Sequence, residues 1–329
     1  MQKIAVVGCG AFGYALALLL SKTHSNKEVF AYDVMSEVIE TLQQTKKHPF
    51  FHTDIEICPN LLPTKDKEEC LKNADLVILA VPAQYLRDAL ESLNNLIPQD
   101  AIILNVSKAL EKNTNKRMSE VISEYFPNDV ATISGGMLAH DVAKGLPVGA
   151  DIGCASKSAL ATLKSLFEPT TVHIDTTTDI IGIELAGALK NVLAIGAGII
   201  DGLNFGFSAK AFFVAQCLRE VENLAVKLGA RHETFHTASN AWMGDILTTC
   251  YGNSRNRLYG EMIGQGKTSE EAITILREQK KHAEGHATLK LVKELCDKYE
   301  VAAPLVTKLY DIVYQNKSPS EAFKDISSQ

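Results

Sequence analysis

Three stretches of the chain carry residue types at spacings that can do chemistry. In "GALKNVLAIGAGIIDG", residues 187–202, Lys190 is the one cation in a run that is otherwise almost wholly apolar or tiny, and Asn191 stands beside it. An ammonium in a dry interior costs several kcal/mol even after relaxation, so such a lysine takes a partner or gives up its proton. A desolvated lysine that sheds its proton readily is a general base, and its conjugate acid can polarise a carbonyl. On a helix its neighbours are Ala186, Gly187, Ala194 and Ala197, all small. They leave room for a ligand or for another backbone; close helix packing explains them equally well but does not explain the lysine. The structural alternative is an ion pair with Glu184 through a neighbouring helix.

Further on, "MGDILTTCYGNSRNR" gathers Asp245, Thr249, Ser254, Arg255, Asn256 and Arg257 in a polar, turn-rich stretch. The planar fork of an arginine suits a phosphate, while Asp and Thr suit hydroxyls.

Near the start, "VVGCGAFG" sets Gly8, Gly10 and Gly13 in the G-x-G-x-x-G spacing, between a strand-like run and a helical pattern. Glycines so placed allow a tight turn and close backbone approach, and the following helix offers its N–H groups to a pyrophosphate. Asp33 follows 20 residues after Gly13, at the end of the second strand-like run. A carboxylate there accepts from both adenosine ribose hydroxyls and repels a 2′-phosphate, and no Arg or Lys lies in the next dozen residues. NAD is therefore the expected cofactor, with NADP the second choice. The bland alternative is that Asp33 caps the next helix.

These groups need elements to hold them. The runs 3–8, 28–33, 76–82, 101–107 and 131–136 are short and nearly continuously apolar, as parallel strands covered on both faces should be. Helical spacing lies between them, so the first half is expected to be a Rossmann-like, doubly wound α/β sheet with right-handed crossovers. Residues 171–176 form its expected last strand, and 45–65 an irregular excursion with no motif. Pro82, Gln84, Lys108 and the segment Gly135–Ala139 follow strand ends and should meet the nucleotide crevice. From about Thr178 the pattern is helix after helix, giving an expected dinucleotide-binding domain over 1–183 and an all-helical substrate-binding domain over 184–329, joined by a continuous helix.

Composition narrows the class. The 329 residues are 46% hydrophobic and 22% charged, enough for two cores. Net charge is −6 with no basic stripe, which speaks against a nucleic-acid surface. Seven scattered cysteines without a C-x-x-C pair fit reduced thiols in the cytoplasm. Because the first strand-like run begins almost at Met1, no signal peptide is expected. The longest apolar run, which contains Lys190, is expected to be a buried helix and not a membrane span. His232/His236 and His282/His286 are i, i+4 pairs, but no H-E-x-x-H or third ligand accompanies them, so no metal is expected.

"GCGAFG", "SK" with Lys108, "IELAGALKNVLAIGAGIIDGL", "GDILTTCYGNSRNR" and "EG" at Glu284–Gly285 together resemble the soluble, nicotinamide-dependent glycerol-3-phosphate dehydrogenases along essentially the whole chain. The resemblance implies interconversion of sn-glycerol 3-phosphate and dihydroxyacetone phosphate, supplying phospholipid synthesis, by a homodimer acting on a small phosphorylated substrate. It implies Lys190 as proton acceptor, with Lys108, Gly135, Asn191, Asp245, Thr249, Ser254, Arg255 and Asn256 around the substrate. Gly8, Gly10, Ala11, Phe12, Gly13, Asp33, Pro82, Lys108, Ala139, Arg255 and Glu284 would touch the cofactor. Departures from the family pattern are "GGMLAHDV" after the fifth strand, where Met137 replaces a hydroxyl residue, "SKAL", and "FSAKAFFVAQC". Two rivals are a 3-hydroxy-acid dehydrogenase, whose helix reads K-x-x-x-N, and a non-catalytic nucleotide-sensing module.

Overall fold

The computed structural model describes residues 1–279 and 281–324. They form two compact units, divided between Glu184 and Leu185. In the first, strands and helices alternate: β1 (Lys3–Val7), α1 (Ala11–Thr23), β2 (Glu28–Tyr32), α2 (Ser36–Thr45), β3 (Leu61–Thr64), α3 (Lys67–Leu71), β4 (Leu76–Leu79), α4 (Ala83–Ser92), β5 (Ile102–Asn105), α5 (Met118–Ser123), β6 (Val130–Ser134), α6 (Ala139–Lys144), β7 (Val148–Cys154), α7 (Lys157–Phe167) and β8 (Val172–Thr177).

The eight strands lie in the order β3-β2-β1-β4-β5-β6-β7-β8. Side chains alternate between the two faces of a strand. On β1, Ile4 and Val6 join a core with α1, α2, α6 and α7, whereas Ala5 and Val7 join the opposite core with α3, α4 and α5. Covering both faces is what makes these strands read as continuous apolar runs. Strand order reverses between β1 and β4, so the loops after those strands mark the switch point at which open α/β sheets bind ligands.

Two strands depart from expectation. β7 has no strand signal in the sequence, and it runs antiparallel to β6 while pairing parallel with β8. Its "VGADIGC" holds two glycines and an aspartate, a poor strand composition by itself; pairing on both sides makes it a strand. β3, "LLPT", lies inside the excursion expected to be irregular and forms by parallel pairing with β2. At the sheet edge Pro63 is tolerated.

Among its described residues the second unit holds helices joined by turns and loops, and no strand. The long helix α8 (Ile180–Gly202) crosses the boundary, followed by α9 (Phe207–Lys227), a 3₁₀ turn at His232–Phe235, a π turn at Asn240–Gly244, α10 (Asp245–Tyr251), α11 (Arg255–Gly264), α12 (Ser269–Glu278), α13 (Glu284–Lys298), α14 (Pro304–Gln315) and α15 (Pro319–Ala322). α8 is long and apolar enough to cross a bilayer by composition, but 89% of its apolar window is buried within the fold. Its glycines serve packing. A Cβ on Gly198 would sit 2.0 Å from the Arg257 carbonyl oxygen, and one on Gly260 2.0 Å from that of Ile195, so α8 and α11 touch backbone to backbone.

Candidate active site

In the nucleotide unit, the three glycines of the first loop have separate reasons to lack a side chain. Gly8 has φ +102°, and a Cβ there would meet the Ala80 carbonyl oxygen at 2.6 Å. Gly13 packs α1 onto β1, its imagined Cβ 2.1 Å from the Gly8 carbonyl oxygen. A Cβ on Gly10, by contrast, meets nothing within 4 Å, so its Cα faces open space. Gly10 is the N-cap of α1, supplies no side-chain cap, and no acidic residue occupies the first turn. Helix geometry leaves the N–H groups of Ala11, Phe12 and Gly13 without intrahelical acceptors. The result is a cradle shaped and polarised for a phosphate, which fits a dinucleotide.

Asp33 closes this loop. Its Oδ2 accepts from the Cys9 N–H at 2.7 Å and its Oδ1 from the Met35 N–H at 2.8 Å. It is thus a brace between the glycine loop and the turn after β2; the N-cap of α2 is Met35. Pro82 is exposed at the N-cap of α4. Lys108 follows β5, where Asn105 Oδ1 accepts from the Ser107 N–H and the Ser107 hydroxyl donates to Val81 O. Its ammonium donates to the Gly135 carbonyl at 2.6 Å. Gly135 itself is required by packing, since a Cβ would lie 2.4 Å from Gly149 O. Ala139 is half-buried at the first position of α6, and Met137 lies in the core with 7% exposure.

Glu184, the suspected partner of Lys190, is engaged elsewhere. It accepts from the Ser119 N–H at 2.7 Å, the Ser119 hydroxyl at 2.5 Å and Arg117 Nη1 at 3.0 Å. Burial pushes its carboxyl above the usual range, against the pull of these donors.

In the helical unit, Lys190 is 8% exposed on α8 and meets two residues of α10. Its ammonium donates to Asp245 Oδ1 and, at 2.8 Å, to Thr249 Oγ1; the Thr249 hydroxyl in turn lies 3.2 Å from Asp245 Oδ1. Asp245 and Thr249 fall one turn apart and therefore share a face. One position along from Lys190, Asn191 Oδ1 accepts from Asn256 Nδ2 at 2.9 Å, and Asn256 Oδ1 accepts from the Gly285 N–H at 2.9 Å. A Cβ on Gly285 would meet Asn191 O and Asn256 Oδ1, both at 2.9 Å. The glycine of the "EG" pair is therefore needed to bring α13 onto α8 and α11.

Ser254 caps α11, its hydroxyl accepting from the Arg257 N–H at 3.1 Å. The neighbouring arginines divide their work. Arg257 donates to Gly252 O at 2.8 Å and Asp201 Oδ2 at 2.7 Å, which commits it to the fold. Arg255 is exposed at the first position of α11 and lines an open groove of about 300 Å³ with Asn253, Ser254, Arg257, Leu258 and Lys281. Glu284 is exposed at the first position of α13.

The histidine pairs are not helical pairs. His236 lies past the end of its 3₁₀ turn, and His282 precedes α13. Among the described residues no group of three His, Cys, Asp or Glu side chains could hold a metal. Sequence spacing gave no sign of two other contacts, in which His48 and His52 reach the backbone of the glycine loop.

The family model described as NAD-dependent glycerol-3-phosphate dehydrogenase N-terminus matches residues 3–160, and that of the C-terminus matches 179–324. A glycerol-3-phosphate dehydrogenase (NAD(P)+) of Fusobacterium nucleatum is 34% identical over 99% of this chain and 96% of its own. One of Clostridium perfringens is 35% identical over 98% and 96%. The crystal structure of glycerol-3-phosphate dehydrogenase from Coxiella burnetii superposes with a TM-score of 0.88 at 26% identity, covering 100% of this chain and 99% of that one. The yeast enzyme, at 23% identity and 0.87 over 98% of both chains, shares the fold. With both halves matched in order and relatives above 30% identity along the whole length, the chain belongs to the NAD-dependent glycerol-3-phosphate dehydrogenase family.

Proposed function

We propose that the protein interconverts sn-glycerol 3-phosphate and dihydroxyacetone phosphate with a nicotinamide dinucleotide, a reading supported by its likeness to glycerol-3-phosphate dehydrogenases (NAD(P)+). The observation that carries this is the buried Lys190–Asp245–Thr249 cluster, a proton carrier held in a polar niche beside the apolar run of α8. When bound, the nicotinamide supplies the hydride acceptor or donor. As the neutral amine, Lys190 Nζ takes the proton of the secondary hydroxyl when that alcohol is oxidised; as the ammonium, it gives a proton to the carbonyl oxygen in reduction. Asp245 stabilises the protonated form and fixes the Nζ position, and Thr249 limits its rotation. Asn191, held by Asn256, offers an amide to a substrate oxygen, and Arg255 in its open groove offers a planar fork to the phosphate. Lys108, fixed on Gly135 O, adds a cation near the cofactor loops.

The open Gly10 cradle and the α1 N-terminus would hold the pyrophosphate, with Ala11, Phe12, Pro82, Ala139 and Glu284 completing the cofactor contacts. The Asp33 carboxylate favours NAD over NADP. The seven free thiols fit a reducing cytoplasm, where the product would feed phospholipid synthesis, and the homodimer belongs to the same proposal.

Oxidation of NADH on addition of dihydroxyacetone phosphate is the direct test. No turnover with this ketone, but turnover with a 3-keto acid, would favour the 3-hydroxy-acid rival. Arg255→Lys keeps the charge and loses the fork, so the KM for dihydroxyacetone phosphate should rise about tenfold while NADH affinity stays. An unchanged KM removes Arg255 from the phosphate site.

A further inference from the structure

The stretch between α2 and β3, residues 46–60, has no regular secondary structure, yet two of its histidines reach the glycine loop. His48 is 1% exposed, packed between Tyr14 of α1 (ring centroids 4.8 Å apart) and Phe51 (5.2 Å). Its Nδ1 accepts from the N–H groups of Phe50 at 3.1 Å and Phe51 at 3.2 Å. A ring nitrogen accepting from N–H groups bears no proton, so the proton is on Nε2, which donates to the Cys9 carbonyl at 2.8 Å. His52, in the left-handed region at φ 50°, places Nε2 3.1 Å from the Ala11 carbonyl. A carbonyl only accepts, so here too the ring donates.

These carbonyls have partners across their peptide bonds. The Cys9 C=O shares a planar trans unit with the Gly10 N–H, and the Ala11 C=O with the Phe12 N–H; in such a unit the two bonds point in opposite directions. The Cys9 oxygen, drawn toward His48, turns the Gly10 N–H the other way; the Ala11 oxygen, at the first position of α1, already faces along the helix, and His52 adds a second donor that holds it there. On the Gly8–Cys9 peptide, Asp33 holds the Cys9 N–H.

We propose that His48 and His52 are positioning residues for the dinucleotide: they hold back the carbonyls of Cys9 and Ala11 so that the Gly10 and Phe12 N–H groups are presented to the pyrophosphate. The irregular excursion thereby becomes a brace of the cofactor site. The assignment rests on reading the glycine loop as the pyrophosphate cradle, and the test separates the two.

The probes are NADH and ADP-ribose, titrated into the full-length protein without substrate. His48→Asn puts an amide oxygen near Nδ1, keeping the turn at Phe50–Phe51, but loses the donor to Cys9. His48→Gln puts an amide nitrogen near Nε2 and keeps that donor while losing the turn contacts. H48N should raise the Kd of both probes, and the KM for NADH, about tenfold with kcat within about threefold; H48Q should stay within about threefold of wild type. His52→Leu, at a half-buried position, should weaken both probes in the same sense and carries the test if H48N does not fold. Wild-type affinity in H48N and H52L overturns the proposal, as does equal weakening by Asn and Gln, which would mark His48 as a support of its own loop only. Gly10→Val distinguishes the failures. If it leaves NADH affinity intact, the cradle itself is misassigned; if it abolishes binding while H48N does not weaken it, only the histidine assignment falls.

Discussion

A buried ammonium and a buried carboxylate each lose several kcal/mol of hydration, and a well-packed hydrophobic pair in their place is often as stable or more so. Lys190 and Asp245, 8% and 2% exposed, are therefore hard to justify as stabilisers, and acid–base chemistry gives the pair a reason. The partner decides how the point is tested. Lys190→Met alone removes the ammonium from the buried Asp245 carboxylate, and breaking a buried pair from one side costs about 3–5 kcal/mol. The K190M/D245N double variant removes both charges of the pair and should recover most of that loss in thermal unfolding. Both variants should bind NADH, while turnover falls by about 10²–10⁴, the usual worth of a positioned acid or base. Near-normal turnover in the well-folded double variant would end the catalytic assignment. The lysine was legible because a lone cation in an apolar run is physically expensive. Its partner was not: Asp245 lies 55 positions away and reaches Lys190 only through the packing of α10 on α8, whereas Glu184, close in sequence, turns to Arg117 and Ser119.

Helix packing set by backbone contact leaves no room for a methyl group. Gly198→Ala should force α8 from α11 and destabilise the protein by about 1–3 kcal/mol or more, read as a lowered midpoint in urea; an unchanged midpoint would mean that the helices part without cost. Elsewhere one helix caps another. Glu220 of α9 accepts from the Leu305 N–H at 2.9 Å and the Val306 N–H at 3.0 Å at the start of α14, whose own N-cap, Ala303, has no side-chain acceptor. Burial raises the Glu220 carboxyl above its usual value, partly opposed by those N–H donors. Because the folded state then binds the proton more tightly than the unfolded chain, this carboxyl's contribution is full below the unfolded pKa, about 4.3, and declines as pH rises through the folded value. Glu220→Gln does not titrate. Its Tm relative to wild type should therefore improve from pH 4 to pH 7, and a constant difference would refute the assignment. At this scale the sequence showed the β/α alternation clearly, since strands covered on both faces are apolar throughout. It hid β7 and β3, whose Gly-, Asp- and Pro-containing segments become strands only through their neighbours, and it hid the role of 45–65, because a side chain bonding to a distant backbone carbonyl leaves no periodic trace.

At the scale of the whole molecule, binding and stability are one quantity. A ligand that binds only the folded chain adds about 2.7 kcal/mol at a hundred times its Kd, enough to move the melting transition by several degrees. Cofactor choice can thus be read from melting without a variant at Asp33. Such a variant would mislead: the carboxylate that should discriminate against a 2′-phosphate also holds the Cys9 N–H, so replacing it disturbs the loop as well as the charge. Beside ribose contact and helix cap, the two roles its sequence position suggests, the brace on the glycine loop is a third duty for Asp33, compatible with the first because a carboxylate has about four acceptor sites. With Asp33 fixed at the end of β2, and no arginine or lysine before Lys46 to neutralise it, NADPH should bind at least about tenfold more weakly than NADH, one unfavourable charge contact being worth about 1–3 kcal/mol. At equal concentrations NADH should raise Tm more than NADPH, and kcat/KM with dihydroxyacetone phosphate should follow the same order. An equal or larger shift with NADPH would show that the 2′-phosphate finds a cation elsewhere, and would leave Asp33 as the brace of the loop alone.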